Sequence, residues 1–409
     1  MNPDKTVQRK KHKKIVSRRS RKPGKRLTRR KFLLLGLGAL VGIGGTASFV
    51  RADELLFYIR SLVRPPRDFS VVGKQSLRER ATAKGLIYGS SLHRRALGSD
   101  PEYGKQIAQE CGMLVPEWEL KWRSLRPSPD RFDFSGADAL LNFAQQHQMQ
   151  FRGHTLVWHQ ANPTWLRETI TRRNAEKLLV DHVQTVVKHY AGKIHSWDVV
   201  NEAIRPGDGQ QNGMRQTLWL QSLGEQYIDI AFRTAAAADP NAMLVYNDVN
   251  LEDASREQET RRQAVLGLLS RMKSRGTPIH ALGIQGHWAA WQDRFDPNRY
   301  REFLREIASM GLKIMITEMD ITDRRLPGDI PTRDRIVAGM YEDYLSVVLD
   351  EPAVIGVLTW GLSDKYSWLS DYAPRRDRKP VRPLPLDDRM QRKLAWNAVA
   401  RSFDRTFAR

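Results

Sequence analysis

The chain has 409 residues, longer than one average domain but within the range of a single α/β barrel with insertions. Its 41% hydrophobic and 28% charged residues are globular in composition and exclude collagen-like and low-complexity classes, while the single cysteine, Cys111, excludes an intramolecular disulfide and a cysteine-rich metal site. The formal charge of +21 invites nucleic acid as a partner, but residues 1–31 hold fifteen Lys or Arg against one acid, Asp4, which leaves +7 for the other 378 residues; the basicity belongs to the tail, and no nucleic acid is expected on the folded body.

The tail reads as a leader. Leu27-Thr28-Arg29-Arg30-Lys31-Phe32-Leu33-Leu34 places an Arg pair before an apolar run, and residues 32–50 are nineteen in a row without a charge, rich in glycine. This resembles a twin-arginine export signal, a Ser/Thr-Arg-Arg-x-Phe-Leu pattern before a moderately apolar segment. Nineteen residues also nearly span a bilayer core, which needs ~20. No clean Ala-x-Ala site follows, Val50-Arg51-Ala52 being a poor match, so two outcomes stand: cleavage, with a periplasmic or extracellular product, or retention through 32–50 as a membrane anchor. Either way the basic side stays in the cytoplasm and the body is exported. We therefore divide the chain into a leader over 1–52, a linker and lead-in over 53–80, and a folded domain over 81–409. Arg64-Pro65-Pro66-Arg67 resists helix and strand, and Leu77 to Lys84 suits a short amphipathic helix at the bottom of the barrel.

From there apolar strands alternate with amphipathic helices. The strands are Leu86–Ser91, Met113–Val115, Phe151–Leu156, Ile194–Val200, Met243–Tyr246, Ala281–Gln285, Lys313–Thr317 and Val354–Trp360. Between and after them, helices are expected over Tyr103–Glu110, Ala137–Gln148, Ala175–Tyr190, Gln226–Ala238, Glu257–Arg275, Pro297–Met310, Arg333–Leu349 and Met390–Phe403. Strands apolar throughout belong to parallel sheets covered on both faces. Eight such alternations predict an α/β fold, a (β/α)8 TIM barrel.

Polar and aromatic residues collect at the strand ends. Glu117 and Lys121 follow the second strand, and His154 and Trp158 lie on or after the third. Asn201 and Glu202 end the fourth, Asn247 and Asp248 the fifth, Gln285 and His287 the sixth, Glu318 and Asp320 the seventh, Trp360 the eighth. Any one alone reads as a cap, a solvated charge or a core ring. Packing gives no reason for the whole set to gather at one end of a barrel, where active sites sit. Two Glu from different strands, Glu202 and Glu318, are the usual apparatus for cutting a glycosidic bond. Amides, carboxylates and imidazoles suit sugar hydroxyls, and indoles suit ring faces.

Four motifs in order carry a specific resemblance: Arg152-Gly153-His154-Thr155-Leu156-Val157-Trp158-His159, Trp197-Asp198-Val199-Val200-Asn201-Glu202, Ile316-Thr317-Glu318-Met319-Asp320, and Thr359-Trp360-Gly361-Leu362-Ser363-Asp364-Lys365-Tyr366-Ser367-Trp368. Over about residues 84–403 the chain resembles glycoside hydrolase family 10, the retaining endo-β-1,4-xylanases. The resemblance implies Glu202 as acid/base and Glu318 as nucleophile, with carboxyls roughly 5–5.5 Å apart. It implies that Asn201 bonds the sugar 2-hydroxyl, that His287 and Asp320 orient Glu318, and that Lys121, His154, Gln285, Trp360 and Trp368 form the subsite of the cleaved sugar. Glu117 and Trp158 join the substrate-binding set. The implied partner is xylan or a related β-1,4-linked polysaccharide, with no cofactor and no metal, and a monomer is the default state.

Departures from the family pattern bear on substrate. Glu117-Trp118-Glu119-Leu120-Lys121-Trp122 has Trp118 where the family has Asn, Ala161 replaces a Gln, and Val249 stands where a Tyr is frequent. Trp288 and Trp291 are candidates for compensating stacking. Two rival readings are another β-linked glycan on the same barrel and a non-catalytic carbohydrate-binding surface protein; intact Glu202, Glu318, Asn201 and His287 argue against the second.

Overall fold

The structure, a computed structural model, describes residues 67–291 and 295–409. The twin-arginine motif, the apolar run 32–50 and the expected boundary near residue 52 lie outside the described residues. Among those described, eight parallel strands close into a barrel: β1 (Ile87–Leu92), β2 (Met113–Pro116), β3 (Gln150–Val157), β4 (Ser196–Asn201), β5 (Met243–Asp248), β6 (Ala281–Ile284), β8 (Lys313–Thr322) and β9 (Val354–Thr359). Closure comes from the β1–β9 and β6–β8 pairings. A short additional strand, β7 (His287–Ala289), pairs with the far end of β8.

The helices start and stop where side chains satisfy the open backbone groups. Asp296 accepts from Asn298 N at 3.0 Å and Arg299 N at 3.2 Å ahead of Pro297, and Ser76 with Glu79 forms a capping box on helix Leu77–Thr82. That helix packs its buried Leu77 and Ala81 beneath β1 and the closing helix Leu394–Arg405. Most boundaries shift from the sequence reading by a few residues, among them the fourth strand, which is Ser196–Asn201, and the seventh, which runs on to Thr322; two of the shifts have a plain local cause. The closing helix begins at Leu394 rather than Met390, because Asp387 first accepts turn bonds from Arg389 N and Gln391 N. The sixth strand ends at Ile284, because Gly286 takes φ +78° and swings the chain across to start β7.

Barrel interior and outer core are distinct. The main apolar core lies between strands and helices, while Met113, Val115, Met315, Leu358 and Trp360 form a separate cluster. Also buried is the ion pair Arg152–Asp198, with Arg152 Nη1 donating to Ser196 Oγ at 2.7 Å. Gly153 is required here, since a Cβ would sit 2.0 Å from the Trp197 ring.

Candidate active site

Strand register delivers the site. Pairing of β4 with β5 sets Asn201 beside Asn247, and pairing of β7 with β8 sets His287 beside Asp320. Glu202 follows β4 with φ +55°, a left-handed conformation that costs a non-glycine residue ~1–3 kcal/mol. It is held there by Glu202 N donating to Asn247 O at 2.8 Å and Arg215 Nε donating to Glu202 O at 2.6 Å.

The carboxylates occupy different surroundings. Glu318 Oε1 accepts from Asn247 Nδ2 at 2.8 Å, and Oε2 lies 3.3 Å from His287 Nε2. The other nitrogen of His287 lies 2.9 Å from Asp320 Oδ1, and Asp320 Oδ2 accepts from Trp368 Nε1 at 2.7 Å. Burial works against charge on His287, yet Asp320 and then Glu318 carry the imidazole well above its ordinary value. Burial likewise pushes Glu318 up, but His154, His287 and Lys121 outweigh it and bring the carboxyl to about 2. Glu318 is thus an ionised carboxylate at neutral pH.

Glu202 is only partly enclosed. Its Oε1 accepts from Gln285 Nε2 at 3.1 Å, and its Oε2 lies 3.4 Å from Arg215 Nη2 and 3.7 Å from His159 Nδ1. Burial first and Arg215 second depress His159 to about 4, so its ring is neutral at pH 7. Arg215 Nη1 faces His159 Nε2 at 3.5 Å; a guanidinium only donates, so the ring proton sits on Nδ1, toward Glu202. Asn201 lies between the two acids. Glu318 only accepts, so Asn247 must offer its nitrogen, which also faces Asn201 Oδ1 at 2.9 Å; this leaves Asn201 Nδ2 toward Glu202 Oε1 at 3.4 Å.

Aromatic and cationic groups wall the rest. Lys121 Nζ lies 4.3 Å from the Trp118 ring centroid, 5.0 Å from Trp158 and 5.8 Å from Trp360. Burial lowers the Lys121 ammonium against the pull of Glu318, Glu117 and Glu202. Burial also raises Glu117 to about 7, opposed by Lys121. His154 Nδ1 bonds Asp198 Oδ2 at 2.9 Å, so the Arg152–Asp198 pair beneath fixes its ring, which meets Trp360 edge-on at 5.2 Å.

The structure therefore brings all twelve residues proposed from the sequence to one mouth. Trp288 is a correction: it is 6% exposed and packs edge-on against Phe295 and Tyr344, because its place on β7 turns it into the core rather than the cleft. Asn247, Asp198, His159 and Arg215 were missed as site residues. The strand-end pattern already contained Asn247, and the quoted motifs contained Asp198 and His159. Arg215 stands on a loop thirteen residues beyond Glu202 and gives no local signal.

A parallel barrel with one ionised and one partly enclosed carboxylic acid, braced by amides and walled by indoles, defines the class: a glycoside-cleaving enzyme. Residues 76–402 match the family model described as Glycosyl hydrolase family 10, and the chain belongs to that family. It is 35% identical over 307 residues to the β-1,4-xylanase of Dictyoglomus thermophilum, covering 73% of this chain and 84% of that one. With endo-1,4-β-xylanase B of Paenibacillus barcinonensis the identity is 34% over 331 residues, 78% and 96% of the two chains. Among solved structures, xylanase 10B of Thermotoga petrophila RKU-1 in complex with xylobiose superposes with a TM-score of 0.74 at 30% identity, over 82% of this chain and 99% of that one.

Proposed function

We infer that the protein is an endo-1,4-β-xylanase that hydrolyses internal bonds of xylan with retention of configuration. The observation that carries this reading is the Glu202–Glu318 pair in its contrasting settings. Glu318, held ionised, attacks the anomeric carbon while Glu202 gives its proton to the departing glycosidic oxygen, leaving a glycosyl ester on Glu318. Loss of the Glu318 charge then favours Glu202 as a base; it takes a proton from water, which attacks the same carbon and frees Glu318. Lys121, His154, Gln285, Trp360 and Trp368 bind the cleaved sugar. Asn201 bonds its 2-hydroxyl, a contact that strengthens toward the transition state, and His287 with Asp320 keeps Glu318 aimed.

The test is reducing-sugar release from xylan and from other β-glycans by the full chain beside Glu202→Gln and Glu318→Ala. Xylan hydrolysis lost in both variants supports the reading; equal behaviour of all three on every glycan overturns it. Proton NMR of the first-formed product reports retention.

We further propose that the enzyme is exported by a twin-arginine route and acts outside the cytoplasm, either freed or anchored through residues 32–50. Arg29-Arg30 ahead of that uncharged run supports this. Replacing both arginines with lysine should leave xylanase activity in the cytoplasmic fraction; unchanged export would refute it.

A further inference from the structure

Trp118 stands at the lip of the cleft with its side chain 53% exposed, one of few large apolar residues left open among those described. Its loop is not a loose tip. Glu119 Oε1 accepts from Arg94 N at 2.7 Å and Oε2 from Trp118 N at 3.2 Å, and Lys121 N donates to Trp118 O at 3.1 Å. A packing role would bury the ring. Instead its inner contact is the Lys121 ammonium, 4.3 Å from the centroid, a cation shared with Trp158 and Trp360. Among the charges that act on Lys121, Glu318 acts most strongly. The same ammonium lies 5.8 Å from Trp360, whose ring meets His154 edge-on, and His154 Nδ1 lies 3.8 Å from Glu318 Oε1, so Trp118 continues the indole wall outward on the side of Glu318, the carboxylate that takes the sugar.

The neighbouring segment is equally bare of polar side chains. Ala161, half-buried with φ +50°, accepts from Arg123 N at 2.8 Å through its carbonyl, which ties the loop after β3 to the segment carrying Trp118. Its side chain is one methyl. At these two positions the site offers a flat ring and a methyl, with no amide to pair with a hydroxyl.

Resting on the xylanase reading, we propose that Trp118 is the stacking platform for the sugar ring next to the cleaved one on the Glu318 side. With Ala161 it makes that position read the ring face and ignore the hydroxyls. A site built to pair with a hydroxyl rejects an analogue that cannot pair, because its own polar groups are then stranded. An indole has no such penalty and holds a ring by its apolar face. The substrate class is xylan whose xylosyl hydroxyls carry acyl esters, acetyl above all.

The experiment measures kcat and KM of the full chain on linear xylohexaose and on an acetylated xylohexaose, for wild type and for Trp118→Phe, Trp118→Ala and Trp118→Asn. Wild type and Trp118→Phe should cleave the two substrates with kcat/KM within about threefold of each other, whereas Trp118→Asn, which installs an amide, should disfavour the acetylated one by about tenfold. Trp118→Ala should raise KM about tenfold on both substrates, with a smaller change in kcat. An unchanged KM in Trp118→Ala, or the same substrate ratio in Trp118→Asn as in wild type, overturns the proposal. Absence of wild-type cleavage of plain xylohexaose would instead sink the xylanase reading, and this inference with it.

Discussion

Glu202 and Glu318 are cross-braced: the residue that holds the backbone of each one also holds the carboxylate of the other. Asn247 accepts Glu202 N through its carbonyl at 2.8 Å and donates to Glu318 Oε1 at 2.8 Å. Gln285 accepts Glu318 N at 2.9 Å and donates to Glu202 Oε1 at 3.1 Å. Moving the end of β5 or the residue that follows β6 therefore disturbs both acids. The two amides nonetheless serve different half-reactions. Asn247→Ala should lower kcat/KM about 100-fold on every substrate, since it loosens the nucleophile. Gln285→Ala should show a large loss on xylan that shrinks on an aryl xyloside whose leaving group needs no proton. Kinetics on the two substrates check the split; equal losses for both variants on both substrates would contradict it.

Gly283 predicts a loss of activity from a residue that reaches no substrate. A Cβ there would lie 2.3 Å from Asn247 Oδ1 and 3.1 Å from Thr317 Cγ2. Thr317 Oγ1 already donates to Asn247 Oδ1 at 2.7 Å, so Asn247 has little room to yield. Gly283→Ala should cost about 1–3 kcal/mol of stability and at least tenfold in kcat. Its effect should not add to that of Asn247→Ala, because both act through the same amide. Denaturant melts and the double mutant test this.

His182 predicts weakness on the acid side. It is fully buried, stacked at 3.5 Å on Trp122, and neither ring nitrogen has a hydrogen-bond partner among the described residues. Burial, helped by the nearby Arg126, holds its pKa well below 6.5. The unfolded chain takes up a proton there as pH falls through about 6.5 and the native state does not, so the native state loses stability below that pH. Burial also depresses His195 to about 4, so it acts in the same direction between about 6.5 and about 4. His182→Leu should therefore gain in Tm relative to wild type as pH drops from 7 to 5. A Tm difference independent of pH would refute this.

Period and strand-end chemistry made the barrel legible in the sequence, together with both acids and the indole wall. Apolar strands are buried on two faces, so their polar ends stand out against them. The parts that stayed hidden depend on contacts across strands or loops. Asn247 looks like any strand-end amide until register places it over Glu318, and Arg215 reaches Glu202 only because its loop folds back to bond Glu202 O at 2.6 Å. Trp288 misled for the opposite reason: β7 is three residues long, too short for an alternating pattern to show which face turns inward.

The acid limit of activity should depend on His287. Glu318 sits at about 2 because His154, His287 and Lys121 overcome a burial that alone would raise it. His287 is itself held well above its ordinary value by Asp320 and Glu318 despite burial, and with a carboxylate facing each ring nitrogen its charged form is favoured beside the nucleophile. His287→Gln replaces the imidazole, whose Nε2 lies 3.3 Å from Glu318 Oε2, with a neutral amide donor and so removes the charge. Burial then weighs more heavily on Glu318, whose pKa must rise. The reactive form is the carboxylate, so the acid limb of kcat/KM should move upward by about one unit, a tenfold loss at any pH on that limb. At pH above the limb the loss should be smaller and reflect aim alone. Asp320→Asn should shift the limb in the same direction, because it weakens the charge on His287 and frees the Trp368 indole that bonds Asp320 Oδ2 at 2.7 Å. A pH profile of kcat/KM on xylo-oligosaccharides checks both variants, and an acid limb unmoved in His287→Gln would show that the imidazolium does not hold Glu318 ionised.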